Sequence, residues 1–310
     1  MGVRHYVQIA RPDHWFKNVF ALPGVLLALM ADPSTWSVQT AIHVAIAVVG
    51  LCLTASSNYV INELLDAPTD REHPEKKHRP AAAGLVKPAP AIVLWLVLGA
   101  AGVGVGLWVN VATATLLGVL WVMGVVYNVK PVRSKDLPYV DVLSESVNNP
   151  LRLGIGWFAT STLLVPPLSL LLAYWMLGAF FMAVKRFAEY RSINDPAAAA
   201  AYRRSFGFYN DVRLLVSVMA YASAASLFGG MFIVRYRLEL VLAVPLIAVL
   251  FAWYLYVGHK PDSPAMKPEK LYRDVGITSW SALVFVVCCA LLVVDIPILQ
   301  LWFSPSIPSP

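Results

Sequence analysis

Charge is scarce in this sequence. Asp, Glu, Lys and Arg supply 14% of the 310 residues and hydrophobic residues 58%, whereas soluble domains average about 25% charged. That imbalance excludes an ordinary soluble globule. Cysteine is scarce as well. Cys52, Cys288 and Cys289 stand in apolar runs without metal-ligand spacing, which excludes a disulfide framework or a zinc site and leaves three small hydrophobes. No Walker loop, no strand–glycine-loop–helix unit for a dinucleotide and no nucleophile elbow is present, so the soluble enzymes built on those devices are excluded too. The sequence has no long linker and no repeat period, and its one low-complexity tract is the alanine run 197–201. Residues 1–310 therefore read as a single membrane-embedded domain.

What is abundant is apolar sequence in long runs. A spanning helix needs about 20 mostly apolar residues, and nine stretches qualify: 18–33, 40–62, 90–109, 111–129, 138–160, 164–186, 212–234, 238–258 and 278–302. The first is cut short by Asp32-Pro33. It does not read as a secretory signal, because Arg11, Asp13 and Lys17 lie beside it and no small-residue cleavage site follows. The basic residues divide in step with these spans. Arg4, Arg11 and Lys17 precede the first. Arg71, Lys76, Lys77, Arg79 and Lys87 follow the second, and Lys130, Arg133 and Lys135 the fourth. Lys185, Arg186, Arg191, Arg203, Arg204 and Arg213 follow the sixth, and Lys260, Lys267, Lys270 and Arg273 the eighth. Nine spans put 21 of the 24 basic residues on one side. The positive-inside rule makes that side cytoplasmic, with the N-terminus inside and the C-terminus outside. The net charge of +6 is then the signature of one membrane face, and no nucleic-acid partner is expected. The expected fold class is all-α, a polytopic membrane protein with nine transmembrane helices and a cytoplasmic N-terminus.

Acids near a membrane helix are costly, so clusters of them point to function. Asn58, Asn62, Asp66 and Asp70 recur every four residues and stack on one helical face. Pro68 disfavours helix at Ala67, so Asp70 is expected either on that face or on a following loop. A second pair, Asp141 and Glu145, opens the fifth span, with Asn148, Asn149 and Arg152 further along it. Polar residues that deep line a cavity or a polar interface between helices. Carboxylates and an amide oxygen are hard ligands suited to magnesium. Two such clusters facing each other can hold two ions and a diphosphate between them. Cations cluster nearby. Arg71, Lys76 and Arg79 lie in the segment 70–80, Tyr127, Arg133 and Lys135 precede the second acidic pair, and Lys185, Arg186 and Glu189 end the sixth span. His73 and His78 flank prolines and read as surface residues, while Gly102, Gly104 and Gly106 read as helix-packing residues.

At these positions the sequence resembles the UbiA superfamily of intramembrane prenyltransferases. The first motif of that family, N-D-x-x-D-x-x-x-D, is matched by Asn62-Glu63-Leu64-Leu65-Asp66-Ala67-Pro68-Thr69-Asp70, with Glu63 for the usual Asp. Its second, D-x-x-x-D, is matched by Asp141-Val142-Leu143-Ser144-Glu145. The resemblance implies a nine-helix bundle and magnesium-dependent chemistry on an isoprenoid (di)phosphate. Within the family, three stretches are similar to the decaprenyl-phosphate phosphoribosyltransferase branch: 11–18, 70–84 and 185–189. The pattern Tyr127-x-x-x-Pro131-x-Arg133-x-Lys135 is more like members that prenylate lipid or pigment acceptors.

The resemblance implies that Asn62, Asp66 and Asp70 bind one magnesium and that Asp141 and Glu145 bind a second or orient the acceptor. Lys17, Arg133, Lys135, Lys185 and Arg186 are the expected phosphate ligands, with Arg71, Lys76, Arg79, Tyr127, Asn148 and Glu189 completing the substrate site. The expected reaction moves 5-phosphoribose from phosphoribosyl pyrophosphate to a polyprenyl phosphate. The rivals are prenyl transfer from a prenyl diphosphate to a lipid or aromatic acceptor, an intramembrane terpene cyclase and, outside enzymes, a transporter. The partners implied are an isoprenoid lipid, a pyrophosphate-bearing donor, the cell (inner) membrane with the site facing the cytoplasm, and possible oligomers. Cysteines introduced at Glu75, Lys135 and Lys267 should be labelled only from the cytoplasm, and one at Ser309 only from outside; cytoplasmic labelling of Ser309 would show a miscounted span.

Overall fold

The computed structural model describes residues 2–71, 76–266, 271 and 274–303. His73, Lys267, Lys270, Arg273 and the labelling positions Glu75 and Ser309 lie outside the described residues. Among those described, all regular structure is helical. The chain divides into two compact units, Met1–Pro166 with Asp195–Tyr209, and Pro167–Asn194 with Asn210–Pro310.

The first unit begins with α1 (Val3–Ala10), a 3-10 turn (Pro12–Ala21) and α2 (Leu22–Ala31). Then come α3 (Val38–Asp70), α4 (Pro88–Leu107), α5 (Val111–Asn128), α6 (Val140–Ser146) and α7 (Asn148–Thr160). The short α9 (Pro196–Tyr202) belongs to this unit as well. Ser37 opens α3 by accepting the Thr40 amide on its hydroxyl, and Asn110 opens α5 through the Thr113 amide, each satisfying a donor the helix itself leaves orphaned. The core of the unit is Ala21, Leu51, Leu117, Leu120 and Ile155, drawn from the first turn, α3, α5 and α7. A smaller cluster of Ile9, Val60, Val86 and Ala91 ties α1 and α4 to α3.

The length of α3 positions the site. At about 1.5 Å per residue its 33 residues run to about 50 Å, well beyond a hydrocarbon core of about 30 Å. Its last turns, which carry Asn62, Asp66 and Asp70, therefore have room to project past the apolar layer. The helix runs through Pro68 and ends at Asp70, so Asp70 stands on the helical face rather than on a loop. With only one turn left beyond Ala67, the bond Pro68 cannot donate is a small loss.

The second unit holds α8 (Leu168–Ile193), α10 (Asp211–Tyr236), a 3-10 turn (Leu238–Ala243), α11 (Val244–His259), α12 (Val275–Val293) and α13 (Pro297–Trp302). α8 packs along α10 and α11, and α11 along α12. Phe180 of α8 stacks on Phe251 of α11 at 4.7 Å.

Among the described residues eight helices are long and apolar enough to cross a membrane. The stretch expected as a fifth span, 138–160, is built as α6 followed by α7, neither of that length alone. Pro150 has no amide to donate to Ser146, which removes one rung of the ladder at the junction. The last span, expected over 278–302, ends at Val293 and restarts at Pro297, because Pro297 keeps Ile296 out of the helical region; Ile296 is extended, at φ −125°. Gly102 and Gly106 are packed as expected, Gly102 against Thr54 and Gly50, but Gly104 faces open space.

Close approach by small residues holds α2 to α7. A Cβ on Gly24 would lie 1.9 Å from the Leu153 carbonyl oxygen, and one on Gly156 would lie 2.1 Å from that of Ala21. Both obstacles are backbone, which cannot turn aside. Gly24→Val and Gly156→Val should each destabilise the protein by about 3 kcal/mol, the upper range for overpacking, read as a lower unfolding temperature in detergent. Gly229→Ala, which meets nothing within 4 Å, should leave it unchanged.

Candidate functional site

The end of α3 carries three carboxylates, each met by a cation from outside the helix. Asp66 Oδ1 accepts from Lys135 Nζ and from Arg133 NH2, the latter at 3.2 Å. Asp70 Oδ2 accepts from Arg79 NH1 at 2.7 Å, and Glu63 Oε2 from Arg11 NH2 at 2.9 Å. These are short, charge-assisted bonds. Asn62 joins through its amide, donating to Asn128 Oδ1 at 2.6 Å, and Lys135 donates to the same oxygen at 2.9 Å. The fourfold spacing read from the sequence thus delivers Asn62, Asp66 and Asp70 to one patch, together with Arg79, Arg133 and Lys135.

The segment 133–136 is shaped for this contact. Arg133 adopts a left-handed backbone, φ 33°, which costs a non-glycine residue about 1 kcal/mol or more. In return its guanidinium bridges Asp66 and Asp136, the latter at 3.1 Å. Arg11 is likewise left-handed, φ 48°, and turns its side chain onto Glu63. Lys135 is only 6% exposed. Burial lowers its pKa below that of an ordinary lysine, opposed by the Asp66 carboxylate that favours the charged form.

Asp141 has a different environment. It is wholly buried, and its carboxylate accepts from the Tyr209 hydroxyl at 2.8 Å and the Ser205 hydroxyl at 3.3 Å, with Arg203 NH2 at 3.4 Å. Those partners all come from the segment after α9, so Asp141 anchors that segment. Glu145, one turn on, accepts from the Tyr127 hydroxyl at 2.8 Å, and Arg203 donates to the same hydroxyl at 3.0 Å. Lys76 Nζ lies 3.2 Å from the Tyr202 hydroxyl and 4.5 Å from that ring's centre. Arg71 Nε donates to the Ala82 carbonyl. Asn148 keeps a buried side-chain oxygen without a hydrogen-bond partner. Lys17, half-buried, lies 6.0 Å from the Phe16 ring centre.

In the second unit Lys185, Arg186 and Glu189 converge at the end of α8, with Arg186 NH1 3.0 Å and Lys185 Nζ 3.9 Å from the Glu189 carboxylate. The sequence pattern missed Arg203, Ser205 and Tyr209 as partners of the second acidic pair. They are 62 to 68 positions away in sequence and carry no periodic signal; Arg203 looked like one more positive charge of the cytoplasmic face.

Asp66 and Asp70, on adjacent turns, suit magnesium, which takes one or two protein carboxylates and completes its shell with water and phosphate oxygens. The chemistry of this donor set fits the ion. Asp141 fits less well, since three donors already occupy a carboxylate with about four acceptor positions. Among the described residues no three His, Cys, Asp or Glu side chains converge as a metal cluster.

The model of the UbiA prenyltransferase family matches residues 18–273. A Corynebacterium glutamicum protein named decaprenyl-phosphate phosphoribosyltransferase is 33% identical over 186 residues, 59% of this chain and 54% of that protein. The chain thus spans little more than half the length of that relative. A Cronobacter sakazakii protein named protoheme IX farnesyltransferase is 27% identical over 92% of this chain and 95% of that protein. In fold, the chain is similar to a UbiA homolog from Archaeoglobus fulgidus bound to DMAPP and Mg2+, with TM-score 0.69 and 19% identity over 94% of this chain and 99% of that one.

The anchoring role of Asp141 has a measurable consequence. Asp141→Ala leaves Arg203, Ser205 and Tyr209 without their acceptor, and removing one partner of a buried charged pair costs about 3 kcal/mol or more. Limited proteolysis should then cut faster between residues 195 and 209 than in the unsubstituted protein. A cleavage rate unchanged in Asp141→Ala would show that the carboxylate does not hold the segment.

Proposed function

The chain belongs to the UbiA prenyltransferase family, and on that premise we propose a multi-pass membrane transferase that uses magnesium and a pyrophosphate-bearing donor to modify an isoprenoid lipid. The observation that carries this reading is the patch at the end of α3, where Asp66 and Asp70 stack one turn apart with Lys135, Arg133 and Arg79 at their carboxylates. Carboxylates for a divalent ion and cations for phosphate oxygens stand side by side, as departure of a diphosphate from carbon requires. A transporter suits the same residues poorly, since its coupling acids lie near the bilayer midplane whereas these stand at the last turns of a 33-residue helix.

Magnesium held by Asp66, Asp70 and the Asn62 side chain would neutralise the negative charge that builds on the leaving pyrophosphate. Arg79, Arg133 and Lys135 bind the phosphate oxygens, the arginines through their planar forks. Arg203 and Tyr127 fix the orientation of Glu145 at the rim of the same site. Lys17, Arg71, Lys76 and Asn148 are assigned to the rest of the substrate, and the distribution of basic residues supports a site that faces the cytoplasm.

For the specific reaction we favour phosphoribosyl transfer. A phosphate oxygen of a polyprenyl phosphate bonds to C1 of the ribose as the bond from C1 to pyrophosphate breaks, and pyrophosphate leaves with the bonding electrons. The similarity to the corynebacterial protein supports this. Prenyl transfer is the second reading, supported by the relative named a farnesyltransferase and by the fold shared with a DMAPP-bound homolog.

Purified protein should release pyrophosphate from phosphoribosyl pyrophosphate only when a polyprenyl phosphate is present. EDTA should stop the release and magnesium restore it. Asp66→Ala and Asp70→Ala should each lower kcat by about 100-fold or more, the scale for losing one preorganised electrostatic contact, and Arg79→Ala should raise KM for the donor. Consumption of a prenyl diphosphate while phosphoribosyl pyrophosphate stays inert would transfer the assignment to the second reading.

A further inference from the structure

The carboxylates assigned to the metal are already in use by the chain itself. Asp66 Oδ1 holds the Lys135 ammonium and an Arg133 nitrogen, Asp70 Oδ2 holds Arg79, and Asp136 takes the other side of Arg133. Three carboxylates are thus faced by three cations within one patch, which is close to neutral by itself. Lys135 is the most firmly placed of the three. It is 6% exposed, sits at the centre of the 3-10 turn Ser134–Asp136, is bonded to Asn128 Oδ1 as well as to Asp66, and lies 5.9 Å from the Tyr127 ring centre.

A divalent ion arriving alone would add two positive charges to a balanced, partly buried patch and would meet an ammonium on the oxygen it needs. The same ion arriving with pyrophosphate brings more negative charge than positive, and gives the displaced ammonium a phosphate oxygen to bond. Charge balance therefore opposes the first event and favours the second.

We propose that Lys135 is a tethered counter-ion that keeps free metal off Asp66 and moves to the pyrophosphate group when metal and pyrophosphate arrive together, so that the two bind as a pair. This rests on the reading of Asp66 and Asp70 as the metal–pyrophosphate cradle and deepens it: the lysine that binds the donor also enforces the order of loading. Its signature is a pair of effects of opposite sign. Removing the ammonium strengthens binding of metal alone and weakens binding of metal with pyrophosphate.

The test uses the full chain in detergent, with Mn2+ as the metal and inorganic pyrophosphate as the partner. Free Mn2+ is followed by electron paramagnetic resonance and folding by thermal unfolding. The unsubstituted protein should bind Mn2+ weakly alone and about tenfold or more tightly once pyrophosphate is added. Lys135→Met should bind Mn2+ alone about tenfold more tightly than the unsubstituted protein, with the gain from pyrophosphate largely lost. Lys135→Arg keeps the charge and should keep the block on metal alone, which separates charge from packing if the methionine variant folds poorly. If Lys135→Met binds Mn2+ no more tightly while Asp66→Asn abolishes pyrophosphate-dependent binding, the counter-ion role is overturned and the cradle stands. If Asp66→Asn and Asp70→Asn leave binding with pyrophosphate unchanged, the cradle itself is overturned, and the counter-ion role with it.

Discussion

A carboxylate at the edge of a bilayer has to be neutralised where it stands, and the architecture of the first unit follows from that requirement. Leaving a buried charge unpaired costs several kcal/mol, so each acid on the last turns of α3 calls in a partner. Glu63 takes Arg11 from 52 positions away and Asp66 takes Lys135 from 69 away. Asp141 takes Arg203, Ser205 and Tyr209 from the segment after α9. The connecting segments are folded back over the helix ends because their cations are needed there. That contact cost is visible in the backbone: Arg11, Arg133 and Tyr139 all have positive φ. The two arginines reach carboxylates from those turns, and the Tyr139 amide donates to the Tyr209 hydroxyl that holds Asp141.

The same rule operates in the second unit with simpler means. Arg237 satisfies both Glu239 and Asp295, at 3.3 and 2.7 Å, and donates to the carbonyls of Leu291 and Val294 at the end of α12. One guanidinium with its fork of donors thus ties α10, the following 3-10 turn and the end of α12 together. Glu239, 3% exposed, also accepts from the Ile296 amide, which fixes the extended break before α13. The α3 patch differs, in that several cations there share adjacent carboxylates. Charge pairing by itself builds a staple; stacked carboxylates that share their cations build a site.

Much of this was legible in the sequence, because the signals were strong and local. The apolar runs marked all eight long helices among the described residues, and the fourfold spacing of Asn62, Asp66 and Asp70 marked one face of α3. The segment 127–135 drew attention by its density of Tyr, Arg and Lys, and it does meet α3. Where the helices break inside an expected span, a single residue outweighed the pattern. Pro150 divided the polar span into α6 and α7, and Pro297 ended α12 early, while Pro68 was tolerated because the helix was about to end. The partners of Asp141 stayed hidden for another reason. Arg203, Ser205 and Tyr209 lie in a stretch with no periodicity, and only the folded chain shows that a residue matching a metal-binding motif is wrapped by hydroxyls and a guanidinium.

The cations at the patch each already serve an acid, Arg79 at Asp70 and Lys135 at Asp66. Arg133 is shared between two carboxylates. In the proposed exchange, positive charge becomes available to phosphate as a carboxylate gives up its cation for a metal ion. Ion pairs that stabilise the empty protein and contacts that hold the donor are then the same residues in two arrangements. That exchange depends on the diphosphate end of the donor alone and is indifferent to whether a ribose or an isoprenoid is attached. On that proposal one patch would suit relatives named for different donors, and the question of donor identity moves away from the carboxylate patch, to the groups that meet the rest of the molecule.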